Sequence, residues 1–282
     1  MPKIVETPFA PLVAIEAIEG RSSQERQVLG TIALPMRDHV NAQTLGSLIQ
    51  TKWPEPTDKL INQGSVLTVQ RNSMVQRMRG DWLLFIDDDM VWEPDAVQRL
   101  IDGWHELEEQ GIHADVYGGL CFRRGAPFQP TLYMRQDNGK GPYNFLETWE
   151  PDSVVEVDAT GMAFCLISVT AFEKIMGESF PPFDVRIADQ RHPDFFRWFE
   201  AVGEDLRFCM DLKAAGGRIF VDTRVQTLHV GEFAIGYNDW LRWCQNRTRE
   251  ELEDRRKVND AMGLPTLLPG VARDILGGRG GR

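Results

Sequence analysis

The sequence predicts an α/β protein built on a mixed, mostly parallel central sheet flanked by helices. Strand-like and helix-like segments alternate through the first half of the chain, the order that builds parallel sheets with crossover helices. Residues 82–86 (Trp82-Leu83-Leu84-Phe85-Ile86) form an unbroken apolar run, as a central strand covered on both faces requires. The composition, 42% hydrophobic and 26% charged over 282 residues, is that of a globular protein long enough to bury a core without disulfides or a structural metal. Any metal is therefore expected to be catalytic.

The elements follow in order. Residues 1–29 carry weak patterning. Residues 31–35 read as a short buried strand that stops at Pro35. Residues 41–50 have helical spacing, with Leu45, Leu48 and Ile49 on one face, and the proline-containing 53–56 is a loop. Residues 59–62 read as a second short strand and 69–79 as a helix. The apolar strand 82–86 runs directly into Asp87-Asp88-Asp89. Pro94 then opens a helix over 95–110, where proline is tolerated, and Gly111 ends it. Residues 116–119 are a strand. Residues 123–153, rich in Gly, Pro, Arg and aromatics, read as a long loop or irregular hairpin, and such loops in compact domains usually serve function. A strand over 154–157, an apolar segment 162–167 and a helix over 169–176 precede a second irregular stretch, 177–203. A helix over 206–215 closes at Gly216-Gly217 and is followed by strands at 218–221 and 225–230. An amphipathic helix over 239–262 and a Gly/Arg tail end the chain.

The net charge of −11 argues against a surface that grips nucleic acid throughout, whereas an acidic cleft suits a divalent cation carrying substrate phosphates. Cys121, Cys165, Cys209 and Cys244 stand far apart with no CxxC pair, and are expected as reduced thiols. Residues 1–20 lack the basic start and apolar run of a signal peptide, and no stretch has the length of a transmembrane helix. The expected location is cytoplasmic.

Open α/β sheets bind ligands at the carboxyl ends of their strands, where Asp87-Asp88-Asp89 lies. Three adjacent carboxylates repel one another, and a divalent cation relieves that repulsion. Mg²⁺ typically takes one or two carboxylates plus substrate phosphate oxygens. Read alone, the triplet is equally an acidic turn before the next helix.

Residues 85–95, Phe85-Ile86-Asp87-Asp88-Asp89-Met90-Val91-Trp92-Glu93-Pro94-Asp95, resemble the DxD segment of glycosyltransferases with the GT-A (Rossmann-like) fold, especially family 2 and its relatives. The resemblance implies that Asp87 lies near the donor nucleoside and the metal, and that Asp89 binds the metal on the diphosphate. Asp88 falls at the donor nucleotide with no defined role. The end of the first strand, Pro35 and Arg37, takes the place that meets the nucleotide, and Arg71 the place of an arginine that pairs with a phosphate or a DxD carboxylate. Glu204-Asp205 is similar to the family's ED motif, which makes Asp205 the general base, with Glu204 beside it. His229 resembles the late histidine that completes the metal site, whereas His39, His105, His113 and His192 have no matching context. Gly161 resembles a glycine near the acceptor.

The interval between the first strand and the DxD is short for the family, so one strand is expected to be reduced or missing. Residues 123–153 and 177–203 match nothing in the family and are assigned to the acceptor. Their aromatics Tyr133, Tyr143, Trp149, Phe195, Phe196 and Trp198 are candidates to stack on it, with Trp149 and Trp198 placed at the site itself.

The expected organisation is an N-terminal extension (1–30), a GT-A domain (31–238, with a nucleotide-binding half 31–120 and an acceptor half 121–238) and a C-terminal helix and tail (239–282). The expected activity is inverting transfer of a sugar from a UDP- or GDP-sugar, assisted by Mn²⁺ or Mg²⁺. The acceptor, a saccharide, lipid, protein or modified nucleobase in DNA, is open. Arg242, Arg247, Arg249, Arg255, Arg256, Arg279 and Arg282 keep DNA in view, although acidic residues interleave with them. The competing readings are a nucleotidyltransferase, which normally needs a glycine-rich loop where Pro35-Met36-Arg37-Asp38 stands, and a non-catalytic nucleotide- or carbohydrate-binding module.

Overall fold

The computed structural model describes residues 28–136, 141–188, 194–198, 202–231, 234–245 and 257. Most of the expected N-terminal extension, most of the expected helix over 239–262 and the Gly/Arg tail lie outside the described residues. In chain order the elements are β1 (Gly30–Met36), α1 (Ala42–Gln50), β2 (Thr57–Gln63), α2 (Leu67–Arg77), β3 (Trp82–Ile86), β4 (Met90–Val91) and α3 (Ala96–Glu109). Next come β5 (Val116–Leu120), β6 (Leu132–Arg135), β7 (Tyr143–Phe145), β8 (Val154–Val157), β9 (Ala159–Thr160), β10 (Phe164–Ser168) and α4 (Val169–Met176). The last are α5 (Phe183–Ala188), α6 (Glu204–Ala214), β11 (Ile219–Gln226), β12 (Leu228–Val230), β13 (Ala234–Ile235) and α7 (Tyr237–Gln245).

A seven-stranded sheet with the order β2-β1-β3-β10-β5-β11-β8 forms the centre. Five of its strands point one way; β10 and β8 run against their neighbours. Alternation along β3 divides the core: Leu83 and Phe85 face one side, and Trp82, Leu84 and Ile86 the other. The first side is covered by Met74 and Val75 of α2, Phe172 of α4 and Phe208 and Leu212 of α6. The second is covered by Val97, Leu100, Ile101 and Trp104 of α3. Helix α3 sits so close to the sheet that a Cβ at Gly103 would lie 2.5 Å from the Tyr117 hydroxyl. Two small sheets, β13-β12-β4 and β7-β6-β9, flank the large one.

Two strands, β1 and β2, precede β3, and β2 pairs with β1 along its whole length. Two sequence expectations change. Strand β1 does not stop at Pro35 but continues to Met36; its ladder to β3 ends at Ala33, so Pro35 lies where β1 is bonded on one side only. Helix α1 turns Leu45 and Ile49 outward, 49% and 76% exposed, and buries Thr44 and Ser47. Hydrogen bonds dock it: the Ser47 hydroxyl donates to the Trp92 carbonyl (3.1 Å) and accepts from its N–H (3.2 Å), and the Trp92 indole donates to Thr51 (2.8 Å). Residues 123–153 do contain a hairpin, β6–β7. No described helix is long and apolar enough to cross a membrane.

Candidate active site

The ends of β1, β2 and β3 open onto a cleft of about 550 Å³, within the roughly 300–1,000 Å³ usual for small-molecule sites. Pro35, Arg37, His39, Gln70, Asp87, Asp88, Asp89, Arg124 and His229 are among its lining residues.

Each carboxylate of the triplet has a different partner. Asp87 faces inward and accepts from Arg71 Nη2 at 2.9 Å. Burial raises its pKa, more than Arg71 lowers it. Asp88 turns back toward β1: its Oδ2 accepts from the Arg37 N–H (3.0 Å), and its carbonyl accepts from the Asn41 N–H (3.0 Å). Asp88 thus holds the loop after β1 against the DxD turn, a role invisible in the sequence. Gln70 works beside it, its amide donating to the Met36 and Gly64 carbonyls at the ends of β1 and β2 (2.6 and 2.8 Å).

Asp89 faces the cleft. Its Oδ1 lies 3.3 Å from His229 Nε2 and its Oδ2 accepts from Arg124 at 2.8 Å. Burial works to raise its pKa, but His229 and Arg124 outweigh it and hold the carboxyl below its ordinary value. The register explains the distant histidine: β12 pairs antiparallel with β4, His229 against Met90, and the Val230 N–H donates to the Asp89 carbonyl (2.7 Å). His229 Nδ1 lies 2.8 Å from the Phe122 carbonyl, which can only accept. Nδ1 therefore carries a proton, which turns Nε2 toward Asp89 as the ring nitrogen a metal would take.

A carboxylate oxygen and an imidazole nitrogen so placed fit Mn²⁺ or Mg²⁺ as two neighbouring ligands. Among the described residues no group of three His, Cys, Asp or Glu side chains forms a metal cage. An ion here would complete its shell with water and substrate phosphate oxygens, the habit of Mg²⁺.

Arg71 is not among the cleft's lining residues, so of its two expected partners, a donor phosphate or a carboxylate of the triplet, it takes the carboxylate of Asp87. It is 2% exposed, with Nη2 on Asp87 and Nη1 on Glu204 at 2.7 Å. Phe85 and Phe196 pack on its guanidinium at 5.5 and 5.8 Å. Its neighbour Asn72 donates to Asp194 and the Phe196 carbonyl and accepts from the Phe196 N–H, which fixes the segment that covers Arg71. One buried arginine therefore joins the DxD turn to the first turn of α6.

Asp205 follows Glu204 in that turn and is half-buried. Its Oδ1 accepts from the Leu206 N–H at 2.7 Å. Burial, seconded by the Glu204 charge, pushes its pKa up to about 6, with Arg71 pulling the other way. A carboxylate of that pKa can accept a proton at neutral pH.

The acceptor candidates separate. Trp149 is 2% exposed and stacks on Trp240 at 4.9 Å, and Phe195 and Phe196 are equally buried; all three are core, because the large sheet's first face needs covering there. Trp198 is 65% exposed, close to Gly203 just before α6. Gly161 lies beside Thr131 and not in the cleft, with ordinary room for a Cβ (3.5 Å). Gln70, His39 and Arg124 were missed; for Arg124 the signal available was the Arg-rich start of the 123–153 segment. Of the C-terminal arginines only Arg242 is described, and it lies 3.8 Å from Asp239.

No curated protein matches the chain. Among solved structures, A197 from STIV is 17% identical, with a TM-score of 0.45 over 71% of this chain and 85% of that one. S. aureus TarS is 12% identical, with a TM-score of 0.39 over 82% of this chain and 42% of its own. TarS 1-349 in complex with UDP-GlcNAc is 14% identical, with a TM-score of 0.38 over 82% and 71%. Residues 54–152 match the family model for glycosyl transferase family 2, a segment that holds Arg71, the Asp87–Asp89 triplet and Arg124 and leaves Asp205 and His229 outside. The chain has a mixed, mostly parallel central sheet flanked by helices, and over residues 54–152 it is similar to the glycosyl transferases of family 2.

Proposed function

We propose that the chain transfers a sugar from a UDP- or GDP-sugar to an acceptor hydroxyl, with inversion at the anomeric carbon. The observation that carries this reading is the arrangement around Arg71: a cleft-facing Asp89–His229 pair on one side and the half-buried Asp205 on the other, joined through Asp87 and Glu204.

The diphosphate of the donor lies in the cleft, with Arg37 and His39 from the loop after β1 and Arg124 at the mouth. Asp89 and His229 would hold Mn²⁺ or Mg²⁺, which when bound neutralises charge on the departing diphosphate. The acceptor oxygen attacks the anomeric carbon from the face opposite the diphosphate. The bond from that carbon to the phosphate oxygen breaks, the nucleoside diphosphate leaves with the electron pair, and the acceptor proton passes to Asp205. Arg71 touches no substrate. It positions Asp87 and the ED turn and offsets the charge that Glu204 and Asp87 would otherwise press on Asp205.

A screen of UDP-, GDP-, dTDP- and CMP-sugars tests the reading, scored by thermal stabilisation and by sugar release with and without Mn²⁺. Stabilisation by one nucleotide class is expected, and stabilisation by none contradicts the reading. Proton NMR of the product then reads the stereochemistry, and retention removes Asp205 from the base role.

A further inference from the structure

We propose that one face of the β6–β7 hairpin is an acceptor subsite for a carbohydrate that carries a phosphate group. This rests on the glycosyl-transfer reading and specifies its acceptor.

In the hairpin Tyr133 stands opposite Phe145 and Arg135 opposite Tyr143. Residues two apart on a strand, and residues directly opposed across a pair, share a face. Tyr133, Arg135, Tyr143 and Phe145 therefore form one surface. Its rings touch, with Tyr133 4.9 Å from Phe145 and 6.2 Å from Tyr143, and Arg123 lies 5.5 Å over Phe145. Strand β6 pairs on its other side with β9, against which α6 packs, so this surface adjoins the helix that begins at Glu204-Asp205. The Asp205 charge acts on both phenols, and burial, the larger influence, also keeps them protonated.

Among the described residues neither phenol makes a hydrogen bond, though both rings are half-buried, and neither Arg123 nor Arg135 makes an ion pair. Their neighbour Arg124 shows the alternative, bound to Asp89 at 2.8 Å. Neither phenol oxygen is a buried orphan, so water serves both until a ligand oxygen takes its place. Aromatic faces cover the C–H faces of a sugar, a neutral phenol donates to a hydroxyl or phosphate oxygen, and a guanidinium fork matches a phosphate. Arg123 over the Phe145 end of this aromatic floor and Arg135 at the Tyr143 end each offer a guanidinium to an anionic group on a small acceptor. A nucleic acid needs a basic stripe that follows several phosphates, and the chain carries a net charge of −11.

Isothermal titration calorimetry on the full chain tests this, with glucose 6-phosphate and glycerol 3-phosphate against glucose, glycerol and a short single-stranded DNA. The sugar and polyol phosphates are expected to bind at least about tenfold tighter than their neutral counterparts, the worth of one charge-assisted contact. The double variant Arg123→Gln/Arg135→Gln should erase that preference. Tyr133→Phe/Tyr143→Phe, which keeps ring volume and so protects folding, should weaken phosphate and neutral ligands together. Equal binding of phosphorylated and neutral ligands, no binding of either, or a preference that survives the arginine variant overturns the proposal. DNA binding tighter than the sugar phosphates and lost in the arginine variant overturns the carbohydrate class. Nucleotide-sugar binding is titrated in parallel. Donor binding without acceptor preference refutes this subsite alone, and acceptor preference without donor binding refutes the glycosyl-transfer reading alone.

Discussion

At the ends of β1 and β3 three polar side chains are held within the protein: Asp88 by the Arg37 N–H, Gln70 by two carbonyls, Asp89 by His229 and Arg124. On the β6–β7 hairpin the phenols of Tyr133 and Tyr143 and the guanidinia of Arg123 and Arg135 have no such partners among the described residues. The first region is ordered before any ligand arrives, which suits the placing of a diphosphate where small errors cost rate. The second keeps its hydrogen-bonding capacity for the acceptor. Arg71 lies between the two, and substitutions can separate them.

The largest expected effect is at Asp205. Asp205→Asn should lower transfer by about 10²–10⁴-fold, the usual worth of a general base, while nucleotide-sugar affinity by calorimetry stays unchanged; a parallel loss of donor affinity would move Asp205 to the donor side. Its pH dependence follows from a pKa raised to about 6. The basic form accumulates above that value, so kcat/KM should climb through pH 6 to a plateau, and the residual rate of the Asn variant should lack that limb. Stability runs the opposite way. Between the ordinary carboxylate range and about pH 6 the folded state keeps a proton that the unfolded chain has released, so this group's contribution falls as pH rises through that window.

Next is the junction. Arg71→Met leaves Asp87 and Glu204 buried without their cation and should destabilise the protein by about 3–5 kcal/mol, read as a lower urea midpoint. A midpoint equal to that of the parent would show that the two halves do not depend on this arginine. Trp149→Ala should cost about as much, roughly 3–5 kcal/mol for a large aromatic removed from a core, and should leave acceptor KM alone in whatever fraction remains folded. The smallest effect is at Trp198, where Ala should change stability by no more than about 0.5 kcal/mol. A rise in acceptor KM with kcat intact would place Trp198 at the acceptor, and no change in either would remove it.

The legible parts of the molecule were those coded locally. The apolar run of β3, the position of Asp87-Asp88-Asp89 at its carboxyl end and the helix over 169–176 follow from periodicity and neighbours in sequence, whereas the triplet's role as a DxD is what the family resemblance implies. Asp89 and His229 were legible as types in family order, but only the β4–β12 register brings them within 3.3 Å. Asp88, Gln70 and Arg124 each act through a partner 34 or more residues away in sequence, so no local window contains their role. Arg71 was legible as a site residue and as a partner of an aspartate in the triplet, which Asp87 is, whereas its burial and its second partner were not, because Phe196 and Glu204 arrive from beyond residue 190. Trp149 was misread because core and ligand-stacking aromatics look identical until burial is known, as the outward Leu45 and Ile49 of α1 show from the other side.

The central claim is that the Asp89–His229 pair binds a nucleotide-sugar together with a divalent cation. Calorimetric titration of the full chain with the preferred UDP- or GDP-sugar, with and without Mn²⁺, addresses it directly when repeated on Asp89→Asn and His229→Ala. The account predicts binding that Mn²⁺ strengthens at least about tenfold, with that gain lost in both variants. Donor binding indifferent to Mn²⁺, or an Mn²⁺ effect that survives both substitutions, would contradict it.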